Sequence, residues 1–311
     1  MAVHSLSRHF QSFFGRLNPG SSFEQTASSQ HNTIRGLIEN QRGLAAELAP
    51  VTFLQGSYRQ QTAIYTINDI DIVVLCNLVF PGRPGGGKSY NRDEIFRIIA
   101  APLMGDGRYR EKVRYGPQSM CIKLDLGIQV EILPVVFKND ASDPGREPFI
   151  LYRPETNRWE DGFARYHQQW LSIKNSPERA QGNFIPTIKV MKHIRSLYNV
   201  SAVSFHIECL LYALPDAVFV GSPADYLASV FQYISAYTPE QWYKTRCMTP
   251  CGDRDIFTSS EWRAEDWWKF HGLISECSHT AQQAVAARTE IGAIEAWQAI
   301  LGRDFFPARV Q

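Results

Sequence analysis

Apolar residues at Ile34, Leu37, Ile38, Leu44 and Leu48 fall on one helical face, which predicts a long helix over residues 24–48, closed by Pro50. Beyond it the pattern shortens to the two-residue period of strands. VTFLQ (51–55), AIYTI (63–67) and DIDIVVLCNLVF (69–80) read as strands, with a Gly-Ser turn after the first. Asn91 with Glu94 is a capping pair opening a helix at RDEIFRIIAAPL. SMCIKLDL and IQVEILPVVF make two further strands with Gly127 near their turn. Composition shifts at residues 139–149, a polar linker with Pro and Gly. From about residue 157 the pattern is mainly helical: 160–174, 184–198, 203–213, 222–236 and 279–301, with parts of 237–270 unassigned. Trp262, Trp267, Trp268 and Phe270 read as core of that half. The expected fold class is α+β. Residues 1–150 form a mixed sheet with an N-terminal helix, and residues 151–311 form a helical lobe.

One strand carries a contradiction. Side chains alternate along it, so Asp69 and Asp71 share a face while Ile70 and Ile72 take the other. On the later strand Gln129, Glu131 and Leu133 share a face. If these strands are neighbours, three carboxylates converge, and unpaired they raise one another's pKa. A hard divalent cation removes that conflict. Mg²⁺ takes a few carboxylates together with substrate phosphate oxygens, and two such ions could clamp both ends of an in-line displacement. Gly56 lets backbone N–H groups approach a phosphate, and the Ser57 hydroxyl adds a donor. The plainer alternative is two aspartates decorating a strand end. A bare D-x-D is weak, whereas Gly-Ser, D-x-D and a later hydrophobic-acid-hydrophobic strand together are specific.

Bulk properties narrow the setting. The 311 residues are 44% hydrophobic and 20% charged, with a net charge of +1, so no global basic field exists and anion binding has to be local. The N-terminal stretch has no long apolar run, so neither a signal peptide nor a membrane span is expected. Six scattered cysteines suit reduced thiols and a cytoplasmic setting.

LQGSYRQQTAI, NDIDIVVL and VEILPVV together resemble the nucleotidyltransferase signature of the polymerase-β-like superfamily. More narrowly, residues 24–215 resemble the bacterial relatives of cyclic GMP-AMP synthase, the oligonucleotide cyclases of anti-phage defence. The resemblance implies a catalytic core with a spine helix, a helical lobe, and an active site in the cleft between them. It implies that Asp69 and Asp71 hold two Mg²⁺ ions, with Mn²⁺ as a substitute, and that Glu131 holds the catalytic metal and helps activate the attacking ribose hydroxyl. The commoner residue at the third position is Asp; Glu is one methylene longer. Asp125, on the preceding strand, is a conceivable substitute.

In FIPTIKVMKHIRSLYNVSAVSFHIECLLYAL, Val190, Ile194 and Leu197 form an apolar stripe, and Lys189, Lys192 and Ser196 lie on another face. The resemblance assigns a lysine and a serine a dozen residues later to the donor triphosphate, which fits Lys192 and Ser204. It assigns base stacking to Phe205. A solvated face for the lysines, and core packing for Phe205, are the plain alternatives. The implied activity joins NTPs, releases pyrophosphate and closes a cyclic di- or trinucleotide that acts on a separate effector protein. A nucleic acid or protein activator is compatible with it, and no membrane is involved. The competing functions are a linear-product transferase, 2′-5′ oligoadenylate synthase-like or RNA-modifying, and an inactive nucleotide-binding sensor.

Three further features have plain explanations. GRPGGGKS, residues 82–89, satisfies the P-loop pattern, but the cap at Asn91 starts the helix too late and no Walker B strand is evident. Cys247, Cys251, His271 and Cys277 are too loosely spaced for a ready zinc site. Residues 83–114 carry eight Arg/Lys against four Asp/Glu, an excess that reads as a solvated surface or an activator patch. Lys88→Ala should therefore leave NTP turnover within about threefold of wild type. A loss as deep as that from removing Asp69 and Asp71 would make the Gly-rich segment the phosphate site.

Overall fold

The structure is a computed structural model and describes residues 1–40, 48–77, 90–117, 119–137, 149–153 and 158–310. Alternation along β1 (Pro50–Gln55) and β2 (Asp69–Cys76) sorts their side chains onto two faces. The remaining strands are β3 (Val113–Arg114), β4 (Ile122–Asp125), β5 (Gln129–Phe137), β6 (Phe149–Arg153) and β7 (Arg158–Gly162). Together they make one mixed sheet.

β2 and β5 pair in parallel, with Asp71 beside Glu131. β1 lies antiparallel on the other side of β2, with Gln55 beside Asp71. The far edge of β5 is shared. Its first residues pair with β4 and its last with β6, and β7 then extends β6. On one face Ile70, Ile72 and Val74 of β2 and Val130 and Ile132 of β5 are buried with Ala27, Ile34 and Ile38 of the Ser21–Glu39 helix. Ile95, Phe96 and Ile99 of the Arg92–Gly105 helix complete that core. The opposite face holds a smaller cluster of Val73, Leu75, Val135, Phe149 and Leu151.

The chain divides into two compact units. The sheet unit comprises residues 20–61 and 66–168, and the helical unit residues 1–19, 62–65 and 169–311. This grouping differs from the expected division at residue 150 at three places. β6 and β7 continue the sheet past the linker, because β6 takes the free edge of β5. The Ser7–Leu17 helix belongs to the helical unit, because Phe10, Phe13 and Leu17 are fully buried there. Residues 63–67 form no strand: Thr62, Ala63 and Ile64 are buried, and their segment is counted with the helical unit.

Other elements shift in detail. The first long helix of the sheet unit ends at Glu39, and residues 41–47 and 78–80 of the expected elements lie outside the described residues. The expected helix over 279–301 is two, Ala264–Ala286 and Glu290–Leu301. Thr289 starts the second, its Oγ1 accepting the Gly292 N–H at 3.1 Å. Trp262, Trp267 and Phe270 are buried as expected, while Trp268 is half-buried and donates through Nε1 to Glu240 Oε1 at 2.9 Å.

Phe10 meets Trp297 and Phe306 edge-on, at ring separations of 5.1 and 5.0 Å. Phe10→Ala should lower the unfolding free energy by about 3–5 kcal/mol in a denaturant titration. A loss below about 1 kcal/mol would mean that the N-terminal helix contributes nothing to that core.

Candidate active site

The register of the sheet decides where the acidic residues stand. Neighbours paired across strands point to the same face, so Gln55, Asp71, Glu131 and Lys123 form one row across β1, β2, β5 and β4. Asp69, Gln129 and Asp125 form the next row. This is the face opposite the two helices. The expected convergence of Asp69, Asp71 and Glu131 on one face of adjacent strands is thus what the sheet displays.

Asp71 sits in the tightest position. Gly56 follows β1 directly and has φ +72°. A Cβ there would lie 1.8 Å from Asp71 Oδ2, so the Gly-Ser turn rests against the carboxylate and only glycine fits. Ser57 is half-buried in the same short Gly56–Arg59 helical turn. Burial raises the Asp71 carboxyl first, and Asp69 and Glu131 raise it further, to about 7; Lys123 only partly offsets them.

Glu131 is held by three neighbours. Its Oε1 accepts from Lys123 Nζ at 2.7 Å and Gln129 Nε2 at 2.8 Å, and its Oε2 faces the Cys121 thiol at 3.5 Å. Lys123 was missed in the sequence. Its signal is the alternation of Ile122, Lys123 and Leu124, but only the antiparallel β4–β5 register places it on Glu131. Asp125 stands opposite Gln129, and its Oδ1 accepts the Gly127 N–H at 3.3 Å, so it shapes the turn.

The fit of this corner to a divalent cation follows from charge and donor chemistry. Three carboxylates with hard oxygen donors face one side with a half-exposed lysine against them, and burial followed by the two neighbouring carboxylates raises the Asp71 carboxyl. The set is not preassembled. Among the described residues no three His, Cys, Asp or Glu side chains already surround one point as metal ligands. For Glu131 to join the aspartates, its carboxylate has to leave Lys123.

In the helical unit, the residues expected to serve the triphosphate have partners of their own. Lys192 is 2% exposed, and its ammonium donates to Glu208 Oε1 at 2.7 Å, Thr62 Oγ1 at 3.0 Å and Thr62 O at 3.2 Å. An ammonium has three donors, and each has an acceptor in this arrangement. Lys189, three residues earlier, is half-buried and donates to Asn18 Oδ1 at 2.8 Å. Ser204 Oγ accepts from Arg195 Nη1 at 3.0 Å. Phe205 is half-buried against the helical core, with the Arg254 guanidinium 5.0 Å above its ring.

The decoys resolve similarly. Residues 82–89 lie outside the described residues, but Asn91 caps the Arg92–Gly105 helix with a complete capping box, downstream of Lys88 and Ser89. Burial pushes the Cys247 and Cys277 thiols up to about 12, and His271 Nε2 is bonded to the Tyr237 carbonyl at 2.9 Å.

The chain matches known families along most of its length. The Second Messenger Oligonucleotide or Dinucleotide Synthetase domain matches residues 4–175. The cGAS/DncV-like nucleotidyltransferase C-terminal helical domain matches residues 172–277. The chain is 26% identical over 268 residues to the cyclic UMP-AMP synthase of Rhodothermus marinus, covering 79% of this chain and 89% of that protein. Its fold is similar to that of CdnC of Escherichia coli MS115-1, solved with ATP, at a TM-score of 0.73 and 15% identity, covering 96% and 98% of the two chains. It is similar to the same CdnC in complex with HORMA-deltaN at a TM-score of 0.70 and 16% identity, covering 97% and 98%.

Two glycines separate backbone strain from crowding at the site. Gly127 has φ +81° with nothing within 4 Å of its absent Cβ, whereas Gly56 has Asp71 there. Each Gly→Ala change should cost about 1 kcal/mol of stability from the positive φ. Only Gly56→Ala should also depress turnover, by about a hundredfold. Equal activity in the two variants would show that the turn does not position Asp71.

Proposed function

We infer that this chain, which belongs to the Second Messenger Oligonucleotide or Dinucleotide Synthetase family and is a nucleotidyltransferase, joins nucleoside triphosphates into a cyclic di- or trinucleotide in a Mg²⁺-dependent reaction. The observation that carries this reading is the parallel pairing of Asp71 with Glu131 beside the Gly56 turn. In the reaction a ribose hydroxyl of one nucleotide attacks the α-phosphorus of another triphosphate. The bond to the β-phosphate breaks and pyrophosphate leaves; a second transfer closes the ring.

Each residue then has a role within the proposal. Asp69, Asp71 and Glu131 hold the two ions, which supply charge neutralisation for the transferring phosphoryl group. Glu131 orients the attacking hydroxyl and helps withdraw its proton. Gly56 and Ser57 offer backbone and hydroxyl donors to phosphate. Lys192 and Ser204 are the proposed triphosphate contacts of the helical unit, and Phe205 offers a ring to a base. Catalysis here is positioning and charge neutralisation, with no covalent enzyme intermediate.

The biological setting is part of the same proposal: the product acts as a second messenger on a separate effector protein in anti-phage defence. The family description names second-messenger synthesis, and the R. marinus relative is named for a cyclic dinucleotide. A protein or nucleic acid activator fits, and the CdnC–HORMA-deltaN complex is a relative bound to a protein. A cytoplasmic location is proposed; among the described residues no helix is long and apolar enough to cross a membrane.

Mass spectrometry of products from four NTPs with Mg²⁺ should find a cyclic oligonucleotide and pyrophosphate. Linear products alone would favour the linear-transferase reading. The Asp69→Ala, Asp71→Ala double variant should abolish turnover while staying folded; near-wild-type turnover would end the assignment. Glu131→Gln should lower kcat by about a hundredfold with little change in NTP affinity, because the lost charge matters chiefly in the transition state. If Glu131→Gln is fully active and Asp125→Asn is dead, Asp125 is the third ligand.

A further inference from the structure

One end of the row across the sheet carries a positive charge that its middle lacks. Lys123 on β4 stands beside Glu131 on β5, and its ammonium lies 2.7 Å from Glu131 Oε1. Gln129 Nε2 donates to the same oxygen at 2.8 Å, and the Cys121 thiol faces Oε2 at 3.5 Å. At the other end of the row Gln55 is paired with Asp71. Its Oε1 is buried and accepts no hydrogen bond among the described residues. From β1 to β4 the row is thus an acceptor without a donor, two carboxylates and one cation.

Lys123 is held loosely. Its side chain is half exposed, and that of Glu131 is 28% exposed. An ion pair in such a setting is screened by water and restrains two long side chains, so it is worth little. Its geometry also permits release. An ammonium on a four-carbon stem makes one point contact and can swing into solvent, whereas a guanidinium would grip the carboxylate through two parallel bonds. Gln129 is uncharged, so it steadies Glu131 without opposing a cation.

Charge decides which partner Glu131 keeps. Lys123 brings one positive charge to one carboxylate, while a divalent ion brings two to a face that carries Asp69, Asp71 and Glu131. The ion therefore wins, but only after the lysine has let go. A site that is open for a fraction of the time binds its ligand more weakly by that fraction, and for an exposed ion pair the factor is a few-fold.

We propose that Lys123 is a resident counterion that holds Glu131 in the metal-free protein and yields it to a divalent ion, and that this exchange sets how much divalent ion the site requires. This rests on the reading of Asp69, Asp71 and Glu131 as the metal carboxylates. Lys123 is then a positioning residue, acting through Glu131. A lysine suits the task because it neutralises the acidic row without locking it.

The test uses the full chain with Lys123→Met, Lys123→Arg, Glu131→Gln and the double variant Lys123→Met, Glu131→Gln. Methionine keeps the unbranched apolar stem without the charge, and the position is half exposed, so the fold is not at stake. Mn²⁺ is titrated in the presence of a saturating non-hydrolysable NTP analogue, with free Mn²⁺ read by electron paramagnetic resonance against the analogue alone. Thermal unfolding is followed in EDTA and in Mg²⁺. Lys123→Met should bind Mn²⁺ about three- to sixfold more tightly than wild type, and Lys123→Arg should bind it more weakly. In EDTA Lys123→Met should unfold at a lower temperature, and Mg²⁺ should raise its midpoint by more than that of wild type. In the Glu131→Gln background Lys123→Met should change neither quantity, the mark of an effect carried by that carboxylate. Unchanged or weaker Mn²⁺ binding in Lys123→Met overturns the proposal and leaves the metal reading standing. A tightening that persists in full with Glu131→Gln also overturns it, since Lys123 then acts only as a general charge on the face. A wild type that takes up no more Mn²⁺ than the analogue alone overturns the metal reading and the proposal with it.

Discussion

The parallel pairing of β2 with β5 places two acidic side chains, Asp71 and Glu131, next to each other in one row. By itself that contact is repulsive, and burial against Gly56 makes it worse for Asp71. The other face holds the register. Ile70, Ile72, Val74, Val130 and Ile132 are all fully buried under two helices, and a slip of one residue would turn them all to the acidic side. Each such side chain contributes about 1.5–3 kcal/mol by burial, so several of them outweigh one like-charge contact whose members can shed charge or take a counterion. The sheet thus maintains an electrostatic conflict that local propensity would not select, which is the usual mark of a functional position.

Legibility followed from how local each signal was. The D-x-D pair and Glu131 were readable because a two-residue period assigns faces without knowing the partners. Lys123 sits on the same period, yet its importance depends on which residue of β5 it faces, and no single strand reveals that. Residues 63–67 alternate like a strand but are apolar for another reason: Thr62, Ala63 and Ile64 are buried as an irregular segment counted with the helical unit. β6 and β7 were hidden by the polar linker before them, since a composition shift looks the same whether a domain ends or a sheet resumes. The Ser7–Leu17 helix was not read from the sequence, and the partners of its Phe10 and Phe13, Trp297 and Phe306, lie at the far end of the chain.

A motif names residue types and leaves their partners open. Lys192 and Ser204 stand where a resemblance to the family suggests phosphate ligands; here the Lys192 ammonium donates to Glu208 and Thr62, and the Ser204 hydroxyl accepts from Arg195. Spacing cannot reveal this, because Glu208 lies 16 positions beyond Lys192 and Thr62 lies 130 before it. A lysine on a helix is usually a solvated cation. Buried, it keeps its charge only where acceptors surround it, and here a carboxylate and two oxygens of one threonine do so.

That arrangement changes what the helical unit contributes. A lysine presented to solvent would add affinity for an anionic ligand and could be replaced by another cation nearby. A lysine inside such a network instead holds the buried Thr62, in the segment that follows the Gly56–Arg59 turn and precedes β2. That turn and the Asp71 carboxylate need each other's placement to a fraction of an ångström, as the contact between Gly56 and Asp71 shows. In the sheet unit, hydrogen-bonded register fixes Asp71 and Glu131, and in the helical unit Thr62 is fixed by its bonds to Lys192 and Glu208. Each arrangement is ordered on folding, so the side chains within it have little conformational freedom left to lose afterwards.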